Sequence, residues 1–235
     1  MSISPPCGRD DCPVPLVAPP RTLRTVVWPS SLQLRRGHKV AHPPDALVPG
    51  LGNTRFAPYP DIAHAYLAST TFAALLESAL HDATVSAPRI RRAQLALWAE
   101  AEVTLRQEVR LIDLRDGELE RMGLDRHALV ATSPTHYACT RRWAAPLVGH
   151  RVGGQAVHGL LWHSRQAELR ARAITHRPAL QEIIDQHPTE VAVLWSPPAP
   201  KLLLRDTGSG LGPLPAYEGA AYVADLAAFL EIPVL

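Results

Sequence analysis

The sequence predicts a compact α+β domain with a central sheet, preceded by a proline-rich arm and followed by a C-terminal extension. Apolar residues make up 46% of the 235 residues, which is enough to bury the core of one domain. Strand-like and helix-like runs are interspersed without the regular βαβ alternation of a parallel sheet. Proline is concentrated at the start, with 12 of 23 prolines among the first 60 residues. We expect an arm over residues 1–30, a domain over 31–200 and an extension over 201–235.

Short runs of β-branched and apolar residues predict the strands of the first third of the chain. These runs are residues 26–28, 32–35 and 63–68. A proline-rich loop over residues 42–60 separates the second run from the third. Ser69 or Thr70 is placed to cap a helix over residues 71–81, because a side-chain hydroxyl accepts from the N–H groups of the first turn. This part of the chain therefore predicts three strands and then one helix.

The rest of the chain mixes the two patterns. Residues 93–102 have helical propensity, although strand-like residues follow at once. Further strands are expected at residues 103–105, 109–114, 157–162 and 191–195. Further helices are expected at residues 116–122, from Ser133-Pro134 onward, and at 166–173, 178–186 and 225–232. The run 157–162 is almost continuously apolar, which is typical of a strand covered on both faces.

Charge and composition exclude several classes of protein. The formal net charge is +2, from 24 basic and 22 acidic residues, which is too even for an electrostatic nucleic-acid binder. The basic run at residues 89–92 has no accompanying aromatic residues, so we expect no direct binding to nucleic acid. No apolar run is long enough for a membrane span, and the start lacks a signal-peptide pattern. Three cysteines do not suit a disulfide scaffold, so we expect a cytoplasmic protein.

The common phosphate-binding and metal-binding motifs are absent from the sequence. It contains no Gly-x-Gly-x-x-Gly, no Walker loop and no His-Glu-x-x-His. Ser164 does not lie in a Gly-x-Ser-x-Gly elbow, which argues against a serine hydrolase. Cys7, Cys12, His38 and His42 would formally make a Cys₂His₂ zinc set, but the cysteines lie in the arm and the histidines at a strand end and in a loop. We therefore expect no metal site.

Five polar residues occupy positions that suit a binding site. They are Arg36, Arg55, Tyr66, Glu77 and Ser164. The arginines lie at a strand end and in a glycine-led turn, and Glu77 lies on a helix face among small and apolar residues. A half-buried carboxylate there is costly unless it has a partner or a task. Ser164 follows the most apolar strand, at the end where open sheets tend to place ligands. Each residue also has a structural explanation, as an ion-pair partner, a core aromatic or a cap.

From residue 34 to residue 168 the chain resembles the RES-domain family, which is named for its Arg, Glu and Ser. Six short stretches match the family in the right order. They are Arg36-Gly37-His38-Lys39 with Pro44-Asp45 and Pro49, Thr54-Arg55-Phe56-Ala57-Pro58, Tyr66-Leu67-Ala68-Ser69, Ala73-Ala74-Leu75-Leu76-Glu77, residues 109–114, and residues 159–165. The chain departs from the family at two points. Arg35 precedes Arg36, so the first family arginine is one of these two, and Gly37 stands where some members have an aromatic residue.

The resemblance implies a fold like that of ADP-ribosyltransferase toxins, and an activity on NAD as the toxin of a toxin–antitoxin pair. By position, Arg36 and Arg55 would bind NAD or phosphate, and Tyr66 would line the nicotinamide side. Glu77 and Ser164 would be the catalytic residues. The implied partner is an Xre-type antitoxin that covers the site, and a homodimer is possible. No cofactor is implied, because NAD is the substrate and inorganic phosphate a potential co-substrate.

The residue types fit this chemistry but leave the acceptor open. Cleavage of the nicotinamide–ribose bond develops an oxocarbenium-like cation, which a fixed carboxylate stabilises. Arginine forks bind a pyrophosphate without a glycine-rich loop. The same site would serve hydrolysis, phosphorolysis or transfer of ADP-ribose to a protein. A catalytically silent RES-like interaction module is the remaining alternative.

Overall fold

The computed structural model describes residues 5–15, 22–49, 54–57, 62–81, 89–167, 189–195 and 203–235. The strands in these ranges are β1 (Thr25–Trp28), β2 (Gln33–Lys39), β3 (Val48–Pro49), β4 (Ala63–Ala68), β5 (Trp98–Leu105), β6 (Val109–Asp113), β7 (Arg151–Val152), β8 (Gln155–Ala156), β9 (Gly159–His163), β10 (Glu190–Trp195), β11 (Leu204–Asp206) and β12 (Gly212–Pro213). The helices are α1 (Thr71–Leu76), α2 (Arg92–Leu95), α3 (Asp116–Arg121), α4 (Arg126–Leu129), α5 (Tyr137–Ala144) and α6 (Tyr217–Leu230). Two 3₁₀ turns, Pro134–His136 and Ala145–Leu147, flank α5.

One large mixed sheet forms the centre of the domain. Its strand order is β1-β6-β9-β10-β4-β2-β5-β11, with β3 added to β4 and β12 added to β5. Neighbouring strands are antiparallel except for β6 and β9, which run parallel. Strands β7 and β8 form a separate hairpin. The structure therefore confirms the predicted mixed fold with a central sheet.

Apolar side chains cover both faces of this sheet. On one face, the helices pack against a large core that includes Leu75 of α1, Trp143 of α5 and Leu226 of α6. On the other face, a smaller core joins side chains from the strands and from Leu203. Strand β9 contributes to both, since Leu160 lies in the large core and Leu161 in the small one. The prediction that this strand is covered on both faces is confirmed.

The sheet opens between β2 and β4. The two strands pair at one point only, Arg35 opposite Ala68. Beyond it, β2 continues along β5 as far as Lys39 opposite Trp98, whereas β4 pairs with β3. Antiparallel neighbours that part in this way leave a wedge between two edges of the same sheet. The candidate site lies in this wedge.

The N-terminal arm and the C-terminal extension both contact the domain. In the arm, Val14 and Leu23 are buried in the large core, and β1 pairs with β6 at one end of the sheet. In the extension, β11 and β12 pair with β5, and α6 covers the large core. These contacts give both regions a role in stabilising the fold. The proposed boundaries at residues 30 and 200 stay a prediction.

Most predicted elements occur within a few residues of their expected positions, but two need correction. Residues 93–102 are not one helix, because only Arg92–Leu95 is helical and β5 begins at Trp98. Pairing with β2 over seven residues outweighs the helical propensity of Ala99 and Ala101. The last helix begins at Tyr217 rather than at residue 225. The predicted helix at 178–186 and most of that at 166–173 lie outside the described residues.

In the part of the chain that the structure describes, no helix is long and apolar enough to cross a membrane.

Candidate active site

A cleft of about 580 Å³ occupies the wedge between β2 and β4. Its walls come from these two strands, the C-terminal end of α1, the turn at residues 54–55 and the start of α5. Of the five residues singled out in the sequence, four line the cleft: Arg36, Arg55, Tyr66 and Glu77. The fifth, Ser164, lies behind one of these four. The fold thus brings together residues that are up to 128 positions apart in the chain.

Arg36 is a buried cation in the wall formed by β2. Its side chain is 5% exposed, and its Nη1 donates to the carbonyl oxygen of Pro44 at 2.5 Å. Burial lowers the pKa of Arg36 to about 10, although the nearby charge of Asp45 acts in the opposite direction. None of the ion pairs within the described ranges includes Arg36. A buried guanidinium without an ion-pair partner in the described ranges provides hydrogen-bond donors for an anion that enters the cleft.

The neighbouring Arg35 has a different environment. Successive side chains of a strand point to opposite faces, so only one of the two arginines can face the cleft. Arg35 contacts the carboxylates of Glu102 at 3.0 Å and Glu100 at 3.8 Å. Its charge is therefore neutralised on the outside of the cleft. Of the two arginines, Arg36 is the one that lines the cleft.

Arg55 is clamped against the start of α5. Its Nη1 donates to the carbonyl oxygen of Thr132 at 2.9 Å, and its Nη2 donates to the hydroxyl of Tyr137 at 3.2 Å. The guanidinium carbon lies 4.8 Å from the centre of the Tyr137 ring, within cation–π range. These contacts use two of the five donors of the side chain. They also fix the position of the guanidinium at the cleft wall.

Tyr66 joins β4 to the turn that carries Arg55. Its hydroxyl accepts from the backbone N–H of Phe56 at 3.0 Å. Burial raises the pKa of Tyr66 to about 12, so the hydroxyl stays protonated at neutral pH. The ring packs edge-to-face against Trp162 and His64, with centroid distances of 6.0 and 5.8 Å. Tyr66 therefore both lines the cleft and holds the adjacent turn in place.

Glu77 lies at the C-terminal end of α1, where it is half-buried. Its Oε1 accepts a hydrogen bond of 2.6 Å from the Ser164 hydroxyl. Ser164 is fully buried at the end of β9, and its Oγ also accepts from the backbone N–H of Ala167. The serine therefore touches the carboxylate, and the carboxylate lines the cleft. Among the described residues, Ser164 is thus connected to the cleft through Glu77.

Gly37 allows α1 to reach the cleft. A side-chain carbon at this position would lie 2.0 Å from Ser78 Oγ and 3.2 Å from the carbonyl oxygen of Ala74. The close approach brings the end of α1, which carries Glu77, against β2. The absence of a side chain at Gly37 thus has a packing reason. It also explains why no aromatic ring follows Arg36 in this chain.

Sequence reasoning missed several aromatic and imidazole side chains of the cleft. They are His64, His81, Trp98, Tyr137 and Trp162. Tyr137 lies at the start of α5, and nothing in the sequence links its hydroxyl to Arg55. Burial lowers the pKa of His64 and, in the same cleft, that of His38, which favours neutral imidazoles at these positions. A cleft with cationic, aromatic and carboxylate groups suits a ligand that has a charged part and a flat ring.

The comparisons with known proteins agree with this geometry. The family model of the RES domain matches residues 29–196, which include all five site residues. No curated protein matches the chain. Among solved structures, the chain is similar to the crystal structure of the M. tuberculosis MbcT–MbcA toxin–antitoxin complex, with a TM-score of 0.52 and 15% identity over 87% of this chain and 92% of that chain. This likeness confirms the fold class. Because the family model spans most of its length, the chain belongs to the RES-domain family.

Proposed function

We propose that this protein cleaves the bond between nicotinamide and ribose in NAD. The observation that carries the proposal is the Glu77 carboxylate, which accepts a 2.6 Å hydrogen bond from Ser164 and faces the cleft. The same cleft contains Arg36 and Arg55. Neither arginine takes part in an ion pair within the described ranges. Cationic donors and a fixed carboxylate in one cleft suit a substrate that is anionic at one end and becomes cationic at the reacting carbon. NAD has both properties.

Arg36 and Arg55 are the groups that we assign to the pyrophosphate. Both guanidiniums are fixed by hydrogen bonds to backbone carbonyl oxygens, so little side-chain entropy is lost when they bind a ligand. Both keep further N–H donors for phosphate oxygens, which arginine binds in pairs. The aromatic side of the cleft, with Tyr66 and Trp162, provides flat surfaces for the nicotinamide ring.

Glu77 is the group that we assign to the reacting carbon. When the bond between C1′ of the ribose and the nicotinamide nitrogen breaks, the electron pair leaves with nicotinamide and positive charge develops on the ribose. A carboxylate held near that carbon stabilises the charge without having to reorganise. Water or inorganic phosphate then adds to C1′; water releases one proton as it does so. We assign Ser164 to holding the carboxylate in position, because the serine is fully buried and contacts Glu77.

The biological setting that we propose is a toxin whose activity depletes NAD until an antitoxin covers the cleft. The support for a partner is the similar solved structure, which is a complex of a toxin with its antitoxin. The family resemblance makes an Xre-type protein the expected antitoxin. Transfer of ADP-ribose to a protein would use the same residues with a different acceptor. A silent interaction module would leave the arrangement of Glu77 and Ser164 without a task.

The decisive experiment is incubation of the purified protein with NAD, with and without inorganic phosphate. Liquid chromatography and mass spectrometry would identify the products. Nicotinamide with ADP-ribose indicates hydrolysis, and nicotinamide with a phosphorylated ADP-ribose indicates phosphorolysis. The matched pair Glu77→Gln and Glu108→Gln tests the site, because Glu108 is an exposed carboxylate outside the cleft. Full stability of NAD in all samples, with no binding of NAD by calorimetry, would overturn the proposal.

A further inference from the structure

Two thiols and one imidazole meet where the N-terminal arm contacts the start of α5, and a third thiol lies nearby. The possible metal-ligand atoms of Cys7, Cys12 and His136 all lie within 4.8 Å of one another. The buried thiol of Cys139 lies outside this 4.8 Å group, but it is near Cys7 and Cys12 and one helical turn after His136. None of these four side chains lines the cleft, so the proposed NAD chemistry gives them no role. They require an explanation of their own.

The local backbone places these four side chains together. In the arm, the N–H of Gly8 donates to the carbonyl of Pro5 and that of Cys12 donates to the carbonyl of Arg9, so two successive turns bring Cys7 and Cys12 to the same side. Gly8 has φ of 70°, a conformation that glycine adopts without strain. His136 and Cys139 are three residues apart at the start of a helix and therefore share one face. The spacing is Cys-x₄-Cys followed by His-x₂-Cys.

His136 supplies an independent observation. Its side chain is buried, with 9% of the residue exposed, and its Nδ1 has no hydrogen-bond partner among the described residues. A buried ring nitrogen without a partner is destabilising. A ligand bound by the imidazole would remove this destabilisation.

We propose that Cys7, Cys12, His136 and Cys139 bind one structural zinc ion. Three thiolates and one imidazole form the Cys₃His set, which is typical of closed tetrahedral zinc sites. Soft sulfur ligands select zinc over magnesium or calcium. From the sequence alone we expect no metal site, and this ligand set differs from the formal combination of Cys7 and Cys12 with His38 and His42. In the structure, the His38 ring contacts the carbonyl oxygens of Lys39 and His42, and both histidines line the cleft.

The zinc ion would fasten the arm to the helix that shapes the cleft. His136 and Cys139 flank Tyr137, whose hydroxyl receives a hydrogen bond from Arg55. Cys7 and Cys12 pack against the large core next to Cys139. Metal binding by these residues contributes directly to folding free energy, since the ligands come together only in the folded chain. The ion would therefore stabilise the arm and the wall of the cleft without taking part in the reaction.

The test is the metal content of the full chain purified without chelators from zinc-supplemented cells. We expect about one zinc ion per chain by mass spectrometry of the metals, as one tetrahedral site requires. Replacement of zinc by Co²⁺ should give visible bands of tetrahedral cobalt and a near-ultraviolet band from thiolate-to-cobalt charge transfer. Cys12→Ser should abolish zinc retention, and His127→Ala, which changes an exposed histidine on α4, should keep it.

Because Cys12→Ser could fail to fold, the wild-type chain provides a second measurement. Blocking the thiols with a mercurial should release the zinc, and a chelator should lower the melting temperature until zinc is restored. A zinc-free wild-type protein that gives no tetrahedral cobalt spectrum would overturn the proposal, and so would a disulfide between Cys7 and Cys12 in the native protein. Both readouts are independent of NAD, so failure of the proposed function would leave this test unchanged.

Discussion

Replacement of Glu77 by glutamine tests the electrostatic role of the cleft most directly. Glutamine keeps the size of the side chain, and its amide oxygen can still accept the hydrogen bond from Ser164 that measures 2.6 Å in the wild type. The negative charge is lost. Losing one group that stabilises charge in the transition state costs about 2.7–4 kcal/mol, which corresponds to a decrease of about 10²–10³-fold in kcat. Because Glu77 is half-buried and the hydrogen bond is retained, the free energy of unfolding should change by no more than about 1 kcal/mol.

The assay is release of nicotinamide from NAD at saturating substrate, together with a thermal melt of each variant. Glu108→Gln is the control, since it removes an exposed carboxylate and should keep wild-type activity. A Glu77→Gln variant that is folded and consumes NAD at the wild-type rate would refute the electrostatic reasoning. A variant with a strongly decreased melting temperature would instead show that the carboxylate mainly stabilises the fold.

Three further predictions concern the residues around Glu77. Arg36→Lys and Arg55→Lys should each weaken NAD binding by about 1.5–3 kcal/mol in calorimetry, because lysine loses the planar fork, whereas Arg35→Lys should bind as the wild type does. Ser164→Ala should lower kcat more than it changes KM and should leave residual turnover. Mass spectrometry of the Ser164→Cys variant, quenched during reaction with NAD, should find no ADP-ribosyl adduct. Such an adduct would show that this side chain acts as a nucleophile. Gly37→Ala should reduce both activity and melting temperature, since the new methyl group would displace the end of α1 from β2; unchanged values in both measurements would contradict this packing argument.

The sequence predicted the strands well where the side chains alone determine burial. The strands predicted at residues 63–68 and 191–195 are β4 and β10, and their observed ends differ from the predicted ends by at most one residue. Both strands consist mainly of small and apolar residues, which suit strands covered on both faces of a sheet. It failed at residues 93–102. Their alanines suit a helix when isolated, but the neighbouring β2 provides a long pairing partner that no local pattern encodes.

The candidate site shows a similar division. The six matching stretches located Arg36, Arg55, Tyr66 and Glu77, and the structure places all four around one cleft. The contact of Ser164 with Glu77 could not be predicted, because it depends on how the end of β9 meets the end of α1, 87 residues apart in the chain. Long-range contacts of this kind are set by strand order, and the sequence offered no basis for that order.

The clamp on Arg55 links the two proposals physically. The guanidinium is held by Thr132 and Tyr137, on either side of the 3₁₀ turn that precedes α5. His136, the last residue of that turn, belongs to the thiol and imidazole cluster. A metal ion there would restrain the segment between the two contacts of Arg55 and so reduce the entropy lost when the arginine binds a phosphate. Loss of zinc should therefore weaken NAD binding more than it lowers kcat, since Glu77 lies on α1 and is held from β9 instead. An equal effect on both quantities would show that the metal supports the whole fold and not this wall of the cleft.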